Sequence, residues 1–313
     1  TPFDSHSVTI SSDSLGSFTF HGEGGSSATG ANDTSAAGNI WDNFDDGGAI
    51  TPTAVGGGEL DNGLNVSLSF VLDQGDDATD GIAKAPFDSH SVTISSDGLG
   101  SLKFSGEGGS SAVSAIDGTA AGDIFDLFDI ASTVHPTGVG GGSNSMFYTF
   151  PSMVDGLALT ASYTPTGSGT DSATSYAATY SGVEGLSVSY GVGDDTTVGN
   201  KGEGTALKAS YAMGSFTVAY SDYSFDTTGT SSDDDTTSYK LSYTVSDELS
   251  VTYGSETVER GTLKDGEYEK ISASYTSGGM TVTATMADAA NMDGTTTATQ
   301  DREVWALGLS FAF

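Results

Sequence analysis

The sequence predicts an all-β fold: a transmembrane antiparallel β-barrel of sixteen strands, or eighteen, with one long loop folded inward. Three observations predict it. First, the final segment REVWALGLSFAF places Trp305, Leu307, Leu309, Phe311 and Phe313 on one strand face. Val304, Ala306, Gly308, Ser310 and Ala312 fall on the other, an apolar face backed by small residues. Second, the C-terminal half repeats this alternation in segments of about 8 to 11 residues, enough for a tilted strand to cross a bilayer. Third, tight turns alternate with long polar loops, the asymmetry of barrels that present one end to the periplasm and one to the exterior.

Composition agrees. The chain has 313 residues, only 36% hydrophobic and without clustered apolar runs. No run approaches the roughly 20 apolar residues a membrane helix needs. A wide barrel needs no dense core, because lipid meets one face and water the other. The 44 glycines suit turns and small lumen-facing positions. With no cysteine, a disulfide framework and a thiolate metal site are excluded. A net charge of −33 with nine basic residues excludes nucleic acid as a partner. That charge fits a cation-rich exterior. The 13 Tyr and 15 Phe argue against an acidic disordered chain. The sequence opens on Thr1 with no signal-peptide pattern, the expectation being a processed chain or a fragment.

From the N-terminus, residues 1–59 read as a partial duplicate of the hairpin-plus-loop unit 85–142, the whole of 1–313 forming one barrel. Residues 2–46 match 86–130 at 32 of 45 positions, and PFDSHSVTISSD occurs twice unchanged. Each copy holds a hairpin and then a long Gly/Ser/Asp loop, ending in GNIWDNFDD or GDIFDLFDI. A loop of more than about 30 residues is unusual and generally functional. Between residues 25 and 60 only ITPTAV offers a strand, and its proline is a poor strand interior. A strand around Leu64, Val66, Leu68 and Phe70 follows. Sixteen segments are plain, but their directions do not alternate at the first copy.

The later strands are regular. Leu157, Leu159, Ala161 and Tyr163 share a face, as do Leu186, Val188 and Tyr190, and Leu249, Val251 and Tyr253. Tyrosines gather near segment ends, as in an aromatic girdle. Tight turns fall at 154–156, 183–185, 246–248 and 278–279, and long loops are expected at 165–173, 194–203, 226–236, 256–267 and 288–301.

No HExxH, P-loop or nucleophile elbow appears, so no enzyme is expected. The candidate site is electrostatic. In the second long loop Asp117, Asp123, Asp126 and Asp129 surround Ile124, Phe125 and Phe128. A short helical turn there would dock the apolar groups on the wall and aim carboxylates at the pore. Asp33, Asp42 and Asp45 are the equivalents in the first copy. By strand alternation Lys103, Lys208, Lys240, Lys270 and Arg302 fall on the lumen face. A lysine on the lipid face near the midplane would cost about 2–4 kcal/mol. A cationic wall opposite an acidic loop sets up a transverse field that favours polar solutes. Cofactors are not expected, beyond weak binding of divalent cations such as calcium on acidic runs like Asp233-Asp234-Asp235 and Asp76-Asp77.

This organisation resembles the general porins of Gram-negative outer membranes, most closely those of alphaproteobacteria, over roughly residues 60–313. The resemblance rests on HSVTISSDGLGSLKFSG, on the loop with GDIFDLFDI, and on the terminal VWALGLSFAF. It implies a sixteen-stranded homotrimeric barrel in the outer membrane whose long third loop folds inward. It also implies that Phe313 is the signal read by the barrel-assembly machinery. The repeat in 1–60 departs from the pattern. The expected function is a passive, cation-preferring diffusion channel for small hydrophilic solutes and ions, its partners being outer-membrane lipids and its own copies. A substrate-specific channel and an extracellular β-rich adhesin or surface-layer protein are the alternatives.

Overall fold

A computed structural model of the chain describes residues 7–12, 16–21, 53–72, 87–116, 118–128, 139–165, 171–196, 201–227, 233–292, 294 and 301–311. Seventeen strands and one short 3₁₀ turn are found among them. The chain divides into two compact units, Thr1–Ile94 with Ser105–Gly108, and Ser95–Phe104 with Gly109–Phe313. Fifteen antiparallel strands, β3 to β17, follow chain order in the large sheet.

In the first unit β1 (Ser7–Ser12) and β2 (Gly16–His21) form a two-stranded hairpin in the register Ser7↔His21. The strand that the proline argued against is present. It is β3 (Thr53–Glu59), and no proline falls within those bounds. β3 pairs with β4 (Asn65–Leu72) across a turn in which Gly63 takes φ 79°, a conformation costly for any residue with a Cβ. β5 (Phe87–Ser96) leads through a turn at Leu99 to β6 (Gly100–Glu107).

The second unit carries the regular part. After the long loop come β7 (Ser145–Thr149), β8 (Leu157–Pro165), β9 (Ser172–Tyr180) and β10 (Leu186–Asp195). Next are β11 (Gly202–Met213), β12 (Phe216–Thr227), β13 (Asp234–Thr244) and β14 (Leu249–Arg260). β15 (Gly266–Ser277), β16 (Met280–Ala290) and β17 (Arg302–Phe311) complete it. Each pairs antiparallel with the next, as two-residue-period strands joined by tight turns must.

The strands are longer than the apolar alternation announced. The loops expected at 226–236 and 256–267 shrink to 228–233 and 261–265. The physical reason is that the strand ends near those loops carry Asp226, Asp235, Glu259 and Glu267 where apolar residues stood lower down. The ladder continues, while the hydrophobic signal stops.

The burial pattern is inside out for a water-soluble sheet. Trp305 is 77% exposed, Leu307 65%, Phe311 59% and Tyr176 60%. The buried residues lie instead on the opposite face, beneath the long loop. One cluster joins Ala121, Ile124, Phe125 and Phe128 of the loop to Val258, Tyr268, Ala287, Ala289 and Met292. A second joins Val113 and Ile116 to Ala206 and Tyr223. A bare apolar face of this extent needs lipid, since soluble proteins rarely expose apolar patches above a few hundred Å². Among the described residues no helix is long and apolar enough to cross a membrane.

Candidate functional site

The long loop between β6 and β7 forms the candidate site. Its described parts are 108–116, 118–128 and 139–144. An irregular backbone at membrane depth is tolerated only where protein satisfies its polar groups. The loop-bearing face meets that requirement from two sides.

Backbone N–H groups find hydroxyls on the strands. Ala112 N donates to Ser162 Oγ (3.0 Å) and Ser175 Oγ (2.9 Å). Ala120 N donates to Ser221 Oγ and Ala121 N to Ser238 Oγ, each at 2.9 Å. Ile124 N and Phe125 N both donate to Glu256 Oε2, at 2.6 and 3.4 Å. Thr119 adds its hydroxyl to Glu256 Oε1.

Loop carbonyls find cations and a phenol. Lys208 Nζ reaches Gly118 O at 2.7 Å, and Tyr223 Oη donates to the same oxygen at 2.7 Å. Lys270 Nζ reaches Gly122 O at 3.5 Å. Arg302 Nη1 reaches Phe128 O at 3.3 Å, at the end of the 3₁₀ turn Ile124–Phe128, where a carbonyl would otherwise lack a partner. Each such bond contributes about 0.5–1.5 kcal/mol, and up to about 3 where one partner is charged.

Strand register aligns these groups. Lys208 faces Ser221, Ser221 faces Ser238, and Ser238 faces Glu256. The row continues through Tyr268 and Ala289 to Arg302. One cross-strand row over seven strands thus offers the loop cationic donors at its two ends, Lys208 and Arg302, and acceptors between them at Ser221, Ser238 and Glu256. The wall also makes room. A Cβ on Gly254 would lie 2.8 Å from Ala121 Cβ and 3.1 Å from Ile124 Cδ1, and one on Gly191 2.9 Å from Ile116 Cδ1.

The sequence-predicted acids divide. Asp126 is exposed on the 3₁₀ turn, while Ile124, Phe125 and Phe128 are buried beneath it. Asp123 is half-buried and turned into the loop, its Oδ1 accepting from Thr119 N at 2.8 Å. Asp117 and Asp129 lie outside the described residues, as do Asp33, Asp42, Asp45, Asp76, Asp77 and Phe313. Of the predicted cations, Lys208, Lys270 and Arg302 lie against the loop rather than across a space from it. The carbonyls that turns leave unpaired draw them there. Lys240 shares their face, paired in register with Gly254, and Lys103 alternates with the exposed Leu102 and Phe104. Sequence reasoning missed Glu256, Thr119, Tyr223 and the four wall serines. The available signal was that each serine stands at an inward position of a strand whose outward positions are apolar.

A sheet bare and apolar on one face, with a docked irregular loop on the other, defines a membrane-spanning β-barrel. The model of the Gram-negative porin family matches residues 7–267. A porin refined at 1.8 Å is 18% identical and aligns over 83% of this chain and 90% of its own, with a TM-score of 0.54. A mutant of the Rh. blastica porin gives 18% identity, coverage of 83% and 89%, and 0.54. OmpT of Vibrio cholerae, an outer-membrane protein, gives 15%, coverage of 83% and 88%, and 0.53. At such identities the likeness is one of fold. No curated protein sequence matches the chain. The chain belongs to the Gram-negative porin family, and it is a non-enzymatic channel of the bacterial outer membrane.

Proposed function

We propose that this channel passes small hydrophilic solutes and ions by passive diffusion, prefers cations, and is narrowed by residues 108–144. The observation that carries the reading is the docking of that loop: apolar residues and backbone face the wall, and Asp126 faces away from it. Asp117 and Asp129 are proposed to stand with Asp126 at the constriction, and Asp123 to hold the turn's shape. The excess of 42 acidic over nine basic residues supports a cation preference. Lys103 and Lys240 are proposed as the cations that face the solute path. The family resemblance supports a homotrimer, and assembly guided by Phe313.

The test is conductance of the purified chain in a planar bilayer, with reversal potential read in a salt gradient. Stepwise openings in threes, reversing on the cation side, are expected. Anion-side reversal would overturn the preference, and a folded chain that never conducts would overturn the channel reading. Saturation by one solute class would replace general diffusion with a substrate-specific channel.

A further inference from the structure

We infer that Glu256 is the positioning residue of the constriction: its two carboxylate oxygens latch residues 119–125 to the wall, and the pore's cross-section depends on both acting as acceptors only. The inference rests on the channel reading above and deepens it.

Hydrogen accounting carries the argument. Thr119 Oγ1 accepts from Gly122 N at 3.1 Å and from Asp123 N at 2.8 Å, which fills its lone pairs. Its own hydrogen must therefore point to Glu256 Oε1. Ser238 Oγ accepts Ala121 N at 2.9 Å and donates onward to the same Oε1 at 3.3 Å. Ile124 N and Phe125 N supply Oε2. Four donors thus converge on one side chain that is 1% exposed. Only a carboxylate offers acceptors at both positions; an amide presents hydrogens to donors on one side or the other. A buried acceptor in this position is far more consequential than an exposed one, because water cannot replace it.

The test substitutes Glu256→Gln, which keeps shape and removes one acceptor. Because the chain has no cysteine, Leu127→Cys, exposed on the docked turn itself, takes a single nitroxide that reports loop mobility on the nanosecond scale without reference to conduction. In reconstituted channels the same variant is read for single-channel current and for the largest neutral polymer admitted. Glu256→Gln is expected to mobilise the label and to raise conductance about twofold, with a larger polymer cut-off. Glu259→Gln, on the outward face of the same strand, is expected to change neither.

Thr119→Val removes the donor to Oε1, and with it the acceptor of Gly122 N and Asp123 N, and leaves the strand intact. It is expected to act in the same direction, and with Glu256→Gln less than additively, since both break the Thr119–Glu256 contact. If Glu256→Gln does not fold, Thr119→Val alone decides. Label mobility unchanged in the folded variants overturns the latch. A wild-type chain that never conducts overturns the channel reading instead, and leaves the label result to decide the latch.

Discussion

Along β12, β14 and β15 the lower and upper halves of the same strand obey opposite rules. Near the tight turns, Phe216, Val218, Leu249, Val251 and Ile271 place apolar groups outward, and the opposite face carries small or polar residues. Near the long loops the parity inverts. Tyr223, Phe225, Val258 and Tyr268 are apolar and buried beneath the loop, while Asp222, Glu259, Glu267 and Glu269 stand outward. The backbone ladder is continuous through the change. What differs is the medium on each side: lipid outside below, protein inside above. Hydrophobic parity therefore reports where the solvent lies, and it switches wherever the membrane ends and the loop begins.

The sharpest way to break this comparison is to place one charge in each half of one face. Val251→Lys lies within the apolar band, and Thr257→Lys lies three pairs of residues up the same outward face. Lysine within the lipid belt is expected to cost about 2–4 kcal/mol, and near the interface about 0–1. Equilibrium unfolding from lipid bilayers measures both. Equal costs would mean that the apolar band does not mark the membrane.

The opposite face gives a smaller but still clear contrast. Gly254→Leu would drive its side chain into Ala121 and Ile124, whereas at Gly308 the nearest heavy atoms to an added Cβ lie 3.9 Å away. Overpacking of this kind costs about 1–3 kcal/mol. The loop, not the ladder, is expected to yield. Gly254→Leu should therefore change single-channel conductance and Gly308→Leu should not. If both leave it unchanged, the docked loop does not set the pore.

These contrasts also explain what was legible in sequence. The lipid-facing alternation at Trp305, Leu307, Leu309 and Phe311 is local and has period two, so it can be read residue by residue. The terminal strand, the turns and the barrel class followed from it. The docking of the loop was half legible, because GDIFDLFDI shows its own amphipathic turn. Its receptor was not. Ser238 and Glu256 lie more than a hundred residues from Ala121 and Ile124, and a serine between Thr237 and Tyr239 reads as filler. Glu256, within GSETVER, looked like loop because the outward positions beside it are polar. Alternation gives the face of Lys208 or Arg302, but not whether a carbonyl waits above it.

The finest contrast is between the two acids that the loop presents differently. Asp126 is exposed on the turn, and Asp123 is half-buried with Thr119 N on its carboxylate. An exposed carboxylate beside a water-filled path acts through its field, while one bonded to its own loop acts through shape. Asp126→Asn should therefore move the reversal potential toward the anion side at constant polymer cut-off. Asp123→Asn keeps a side-chain oxygen able to accept from Thr119 N, so its cut-off should also hold. Its effect on reversal potential should be the smaller, because the bonded carboxylate already has part of its charge compensated by the N–H. Salt decides between field and shape: raising ionic strength from about 0.1 to 1 M shortens the screening length from roughly 10 to 3 Å. The Asp126→Asn difference should then shrink. A difference that persists at high salt would show that Asp126 also acts through the loop's conformation, and the division between the two acids would fall.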